Sequence, residues 1–238
     1  MGHKNELQSC FVLHSRPWRE TSLLLDVLSE NYGKIGLCAR GVRGKKSSQR
    51  SLLQPLTPLL LSLTGNGDLQ TLTRTEPAGA AIKLSGTAIY SSFYLNELMV
   101  RLLHRHDPHP RLFHHYQQTL QKLLKTNLLE QTLREFEMQL LLSLGYGINF
   151  EVDNNGEPIS ENSSYRLAEE GMFISLDTSS SCNNAREFSG SDLLSIADKN
   201  WQNSTVLKAA KRILRFSLNP LLGDKPLQSR KLFRRNVS

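Results

Sequence analysis

The sequence predicts an α+β fold: an N-terminal β-barrel over residues 1–80, then a mainly helical domain over residues 81–238 that carries a small polar, irregular or β-rich module at about 151–185. Three observations carry that expectation. Short apolar runs separated by glycine turns fill the first 80 residues. From about residue 85 the apolar spacing lengthens to steps of three and four, the period of a helix. Residues 151–185 then turn polar before helical spacing returns. With 238 residues, 39% of them hydrophobic, the chain can build one or two domains with a core.

Residues 11–14 form a short apolar run, and 21–29 are rich in Leu and Val and end at the turn Asn31-Tyr32-Gly33. In 34–39, Ile35 and Leu37 alternate with small or polar neighbours, as in a half-buried strand. Residues 59–64 and 69–75 flank Gly65-Asn66-Gly67-Asp68, a hairpin signal. Five short strands and one long loop have the strand count of an OB-fold barrel; pattern alone leaves an SH3-like barrel open. Ile89, Phe93, Leu95, Leu98, Met99, Leu102 and Leu103 then share a helix face, which Asp107-Pro108-His109-Pro110 breaks. Helices are expected at 112–124 and 129–144, the second stopped by Gly145 and Gly147. In the polar module, Asp153, Asn154, Asn155 and Gly156 supply turn chemistry, and 165–167 and 172–176 are the strand candidates. Helices return at 191–197 and 205–218, the last ended by Asn219-Pro220. No internal repeat is visible.

The net charge of +7 is unevenly spread. Residues 1–80 carry ten basic and six acidic residues, 81–150 seven and five, 151–204 three and ten, and 205–238 nine and one. Basic charge at both ends, with an acidic block between, suits a polyanion partner. Within 34–50 there are six Lys or Arg and no acid: Lys34, Arg40, Arg43, Lys45, Lys46 and Arg50. A positive, glycine-broken loop leaving a strand is a candidate grip for a phosphate backbone; the alternative is a solvated surface loop. Lys208, Lys211, Arg212 and Arg215 line one face of the last long helix, and Lys225, Arg230, Lys231, Arg234 and Arg235 follow it. They form a second candidate phosphate surface, weighed against a solvated face with a frayed tail. Trp18, between Arg16 and Arg19, either stacks on an unpaired base or plugs the barrel end.

Other chemistries fare worse. Gly41, Gly44, Lys45 and Ser47 fail the P-loop pattern, because only Val42 and Arg43 separate the glycines and Lys46 follows Lys45. His104, His106, His109, His114 and His115 crowd one junction, but two prolines splay them and Asp107 is the nearby carboxylate, so no metal is inferred. Cys10, Cys38 and Cys182 are odd in number and far apart, which speaks against a disulfide framework and for a reducing cytoplasm. Apart from Glu169-Glu170 the acids of 151–204 are scattered singly, no paired Asp/Glu set has metal-ligand spacing and no nucleophile elbow occurs, so neither catalysis nor a cofactor is expected. No signal peptide is read, and no apolar run approaches bilayer length.

Several segments together resemble the bacterial RecO family of DNA repair proteins. FVLHSRPWRETSLLLDVLSE, KIGLCARGVRGKKSS and LLQPLTPLLLSL are similar to that family's N-terminal barrel. SSFYLNELMVRLL and REFEMQLLLSLGYGINF match its helical domain, and KPLQSRKLF its closing signature. The resemblance runs in one order from about residue 9 to residue 235. It implies an OB-fold followed by a helical domain with a small module. It also implies a nucleoid-associated mediator that binds single- and double-stranded DNA and anneals complementary strands without ATP. Such a protein works with RecR to load RecA onto DNA coated by single-stranded DNA-binding protein, and docks the coating protein's acidic tail. Many relatives place zinc-binding cysteines just after LGYG, but residues 150–157 here contain none, so zinc is not inferred. Tail docking needs a cation beside an apolar groove, for which Arg134 is the candidate, with Arg101 beside Leu98 and Leu102. The competing functions are an adaptor for acidic proteins and a nuclease or RNA-modifying enzyme.

Overall fold

The computed structural model describes residues 6–44, 49–176 and 185–234. Strands β1 (Gln8–Trp18), β2 (Ser22–Ser29), β3 (Gly33–Ala39), β4 (Pro58–Thr64) and β5 (Leu69–Pro77) close into a barrel in the order β1-β2-β3-β5-β4. β1 pairs antiparallel with β4, and β3 pairs parallel with β5. This is the strand order of an OB-fold, which decides between the two barrels that the sequence left open. A short helix, α1 (Gln49–Leu52), lies between β3 and β4 and was not anticipated. The chain divides into two compact units, one running to Leu129 and resuming at Pro226, the other spanning Glu130–Lys225.

Strand alternation fills the barrel. Cys10 and Val12 of β1, Leu23, Leu25 and Val27 of β2, Ile35, Leu37 and Ala39 of β3, and Leu59 and Leu61 of β4 share one core. Burial there pushes the Cys10 thiol up to about 12, so it stays protonated. The outer face of β1 is apolar as well, because helices α2 (Gly86–Leu102) and α3 (Pro110–Lys122) belong to the same unit. Phe11 meets Phe113 at 5.5 Å and Tyr116 edge-on at 5.3 Å. α3 starts with Pro110 in its first turn, where a missing N–H costs nothing.

β1 contains a bulge. Val12 pairs with Val27 and His14 with Asp26, so Leu13 is the extra residue. The Leu13 carbonyl accepts a 3.0 Å bond from Asn96 Nδ2, and the Tyr116 hydroxyl donates to Asn96 Oδ1 at 2.6 Å. All three groups are buried, and burial raises the Tyr116 pKa. Asn96→Leu removes the hydrogen bonds that Asn96 makes with the Tyr116 hydroxyl and the Leu13 carbonyl. At about 1–3 kcal/mol per group, a loss of about 2–6 kcal/mol is expected by urea unfolding; a change below about 0.5 kcal/mol would show that this chain of bonds does not hold the bulge.

The second unit contains α4 (Leu129–Ser143), a three-stranded sheet ordered β7-β6-β8, and helices α5 (Gly190–Ala197) and α6 (Ser204–Leu222). The sheet strands are β6 (Ser164–Leu167), β7 (Phe173–Leu176) and β8 (Glu187–Ser189). The module's core is ordinary apolar packing of Phe150, Tyr165, Leu167, Phe173 and Phe188 with Leu193, Ile196, Trp201 and Ile213. Among the described residues, no group of three or more His, Cys, Asp or Glu is placed to hold a metal ion. Ser189 Oγ caps α5 by accepting from Asp192 N at 3.2 Å. α6 passes through Pro220 and stops at Gly223, whose φ is +63°, rather than ending at Asn219-Pro220. Pro220 lacks the N–H that would otherwise bond the Phe216 carbonyl, so the helix loses one rung just before its end. The last short helix, α7 (Arg230–Arg234), belongs with the barrel. Among the described residues, no helix is long and apolar enough to cross a membrane.

Candidate nucleic-acid interface

The bulge decides which way the end of β1 faces. Uninterrupted alternation from Cys10 and Val12 would point Trp18 into the barrel. One inserted residue reverses the parity, so His14, Arg16 and Trp18 pair with Asp26, Leu24 and Ser22 on the outer face. On that face Leu24 and Asp26 pair in turn with Cys38 and Gly36 of β3. Gly36 and Cys38 lie beside Leu69 and Thr71 of β5. Trp18 is 42% exposed, which excludes the barrel plug, and it sits at a strand end rather than in a loop.

One end of this outer face is closed. Arg105 lies over Gly36, where an added Cβ would come within 2.3 Å of Nη1. Its Nη2 donates to Asp26 Oδ1 at 3.0 Å. His14, whose Nδ1 lies 3.8 Å from Asp26 Oδ2, together with Arg105 and Lys34 holds the Asp26 carboxyl below the usual carboxylate range despite burial. A depressed folded pKa contributes stability above the ordinary carboxylate pKa and loses it as pH falls through the folded value. The urea midpoint should therefore fall with acidification below about pH 4 more steeply in the native chain than in Asp26→Asn; parallel curves would show that the cluster contributes nothing.

The other end is open. Arg16, Trp18, Arg19 and Arg40 are exposed there, with Leu24 and Cys38 half-buried between them. Arg43 joins the loop after β3 to the β1–β2 turn: its N–H donates to Thr21 O at 2.8 Å and its Nη1 to Arg19 O at 3.1 Å. Cations from two separate segments thus flank one exposed indole, with Glu20 the acid in the turn. Arg50 is exposed on α1. Lys45 and Lys46 lie outside the described residues.

Lys34 must be corrected. It is 8% exposed, and Nζ donates to Val100 O at 2.6 Å. Val100 carries one of the last carbonyls of α2, a natural seat for a cation. Burial first, and Arg105 second, push the Lys34 pKa down. It is a structural lysine rather than a phosphate contact.

In the second unit, Lys208, Lys211 and Arg215 are exposed along one stripe of α6. Arg212 shares the stripe, but its donors are committed. Nη2 donates to Ala185 O at 2.7 Å and to Glu187 O at 3.2 Å, and the guanidinium lies 4.6 Å from the Phe188 ring centre. It fastens the start of β8 to α6, so its assignment as a free DNA cation is also corrected.

The tail-docking set does not form an open groove. Leu98 and Leu102 are buried in the first unit. Arg134 is 7% exposed in the second, and its Nη2 donates to Glu137 Oε1 at 2.9 Å, one turn along α4. A carboxylate of the chain itself already occupies that guanidinium. Arg101 is part-exposed. The histidines make separate pairs, His109 with Asp107 and His114 with Glu30, both at 3.2 Å.

Sequence reasoning missed the shared face of Arg16, Trp18, Leu24 and Cys38, and it missed Arg105. Strand parity was the available signal, but it required knowing the bulge.

Fold and open face together define an OB-barrel protein with a helical second part. Residues 4–81 match the family model for the Recombination protein O N terminal, and residues 84–231 the one for the Recombination protein O C terminal. The chain is 46% identical over 235 residues to the DNA repair protein RecO of Haemophilus influenzae, covering 98% of each. It is 44% identical over 232 residues to that of Vibrio cholerae, covering 97% of this chain and 95% of the relative. It is also 44% identical over 228 residues to that of Photobacterium profundum, covering 95% of each. The chain belongs to the RecO family of DNA repair proteins.

Proposed function

We propose that the chain is a recombination mediator that binds single- and double-stranded DNA, anneals complementary strands without ATP, and helps load RecA onto DNA coated by single-stranded DNA-binding protein. It acts at the nucleoid with RecR and the coating protein's acidic tail as partners, and it uses neither catalytic chemistry nor a cofactor. For the tail, Arg101 remains as the candidate cation. The observation that carries DNA binding is the open end of the barrel's outer face, where Trp18 lies among Arg16, Arg19 and Arg40.

OB barrels bind oligonucleotides on this surface of strands 2 and 3 and at the β1–β2 loop. An aromatic face takes any base, and phosphate contacts carry no sequence information, so the combination suits sequence-independent binding. Annealing requires two polyanions to approach. Exposed cations on the barrel and, separately, on α6 screen that repulsion, while one indole leaves most bases free to pair. Strand annealing measured without nucleotide or metal tests the proposal: pairing of complementary oligonucleotides should accelerate at 50 mM salt and slow sharply at 200 mM. Unchanged pairing with no salt-dependent binding would instead favour an adaptor for acidic proteins.

A further inference from the structure

Sequence alone grouped the C-terminal cations with those of α6, but the two sets belong to different compact units: α6 lies within Glu130–Lys225, whereas the chain from Pro226 belongs with the barrel. We propose that α7 is a separate phosphate-binding element of the barrel-bearing unit, positioned by Glu97 of α2; this rests on the DNA-binding reading above.

The anchor is a single carboxylate. Glu97 Oε1 accepts from Gln228 N at 2.8 Å, and Oε2 accepts from Ser229 N at 2.8 Å and from Ser229 Oγ at 2.6 Å. The backbone donors stand just before α7, where amides have no helical partner of their own. Leu227 and Ser229 are buried beside the anchor. One turn beyond it, Phe233 meets Tyr90 of α2 edge-on at 5.9 Å. The segment is therefore fastened at both ends of its short helix rather than frayed.

All three donors to Glu97 are uncharged, so the carboxylate orders the segment without ion-pairing its cations. Lys231 is exposed and Arg230 half-buried, and neither has an ion-pair partner among the described residues. Fixed cations lose less conformational freedom on meeting a phosphate than those of a free tail. Among the described residues of this segment, Leu227 is buried and Phe233 is engaged with Tyr90, so they offer cations rather than an open apolar groove. A phosphate backbone needs only that, whereas an acidic peptide with an aromatic end needs the groove as well.

The test is single-stranded oligonucleotide affinity of the full chain between 50 and 200 mM salt. Arg230→Gln with Lys231→Gln should weaken binding several-fold at low salt and reduce the log–log slope by about 1.4, two contacts at about 0.7 each. Glu97→Gln should reproduce most of that loss, and the triple variant should lose no more than the double. Unchanged affinity and slope in the double variant, with the native chain still binding steeply, would overturn the proposal while sparing the DNA-binding reading; weakened binding of an acidic peptide instead would reassign α7 to a protein partner. Loss in the double variant without loss in Glu97→Gln would remove Glu97's positioning role. A native chain with no salt-dependent DNA binding would fail the underlying reading itself.

Discussion

Replacing Arg16, Arg40 and Arg50 of the barrel-bearing unit with glutamine should reduce the log–log salt slope of DNA binding by about 2, three contacts at about 0.7 each. If these three and Lys208, Lys211 and Arg215 each meet a phosphate of single-stranded DNA, six contacts contribute about −4 to the slope, beyond the share of α7. Those six account for about 300-fold of the fall in affinity between 50 and 200 mM salt; with three of them left, their share is a slope of about −2 and a fall of about 20-fold. Fluorescence anisotropy of a labelled oligonucleotide across that range reads both quantities. All six side chains are exposed, so their loss should leave thermal stability nearly unchanged. Arg43 is left out because its bond to Arg19 O shapes the surface. An unaltered slope would show that these cations are merely solvated.

The second large effect is on stability. Arg134→Ala leaves Glu137 charged in a buried site, and removing one partner of such a pair costs about 3–5 kcal/mol. For a unit spanning Glu130–Lys225, at about 4–8 °C per kcal/mol, the melting temperature should drop by about 12–40 °C. Arg134→Met combined with Glu137→Leu removes both charges and should recover most of the loss. An exposed docking cation would behave in the opposite way, with little change in melting temperature on truncation. Calorimetry of the two variants therefore decides between the buried pair and the surface role that the sequence suggested for Arg134.

Much of the architecture was legible in the residues. The Gly65-Asn66-Gly67-Asp68 hairpin does separate β4 from β5, and the change of period near residue 85 does mark α2. These are local signals. What failed depended on distant segments. Lys34 reads as one more cation in a basic run until α2 brings its terminal carbonyls onto the outside of β3. Arg212 reads as part of an exposed stripe until the chain at Ala185 and Glu187 reaches it. Glu97 looks like an ordinary surface acid, because its partners lie more than 130 residues later. Trp18 shows the limit most clearly: alternation gives the wrong face for it, and the cause is one inserted residue whose carbonyl is satisfied by Asn96 on α2.

That face can be watched directly. The chain has two tryptophans, and Trp201 is buried with its N–H on Glu135 Oε1 at 3.2 Å, so Trp201→Phe leaves Trp18 as the single indole. Titrating this variant with an oligonucleotide should quench Trp18 emission saturably, with the same midpoint as anisotropy of the labelled strand. Full binding by anisotropy with Trp18 emission unchanged would mean that DNA does not lie across the open end of the barrel.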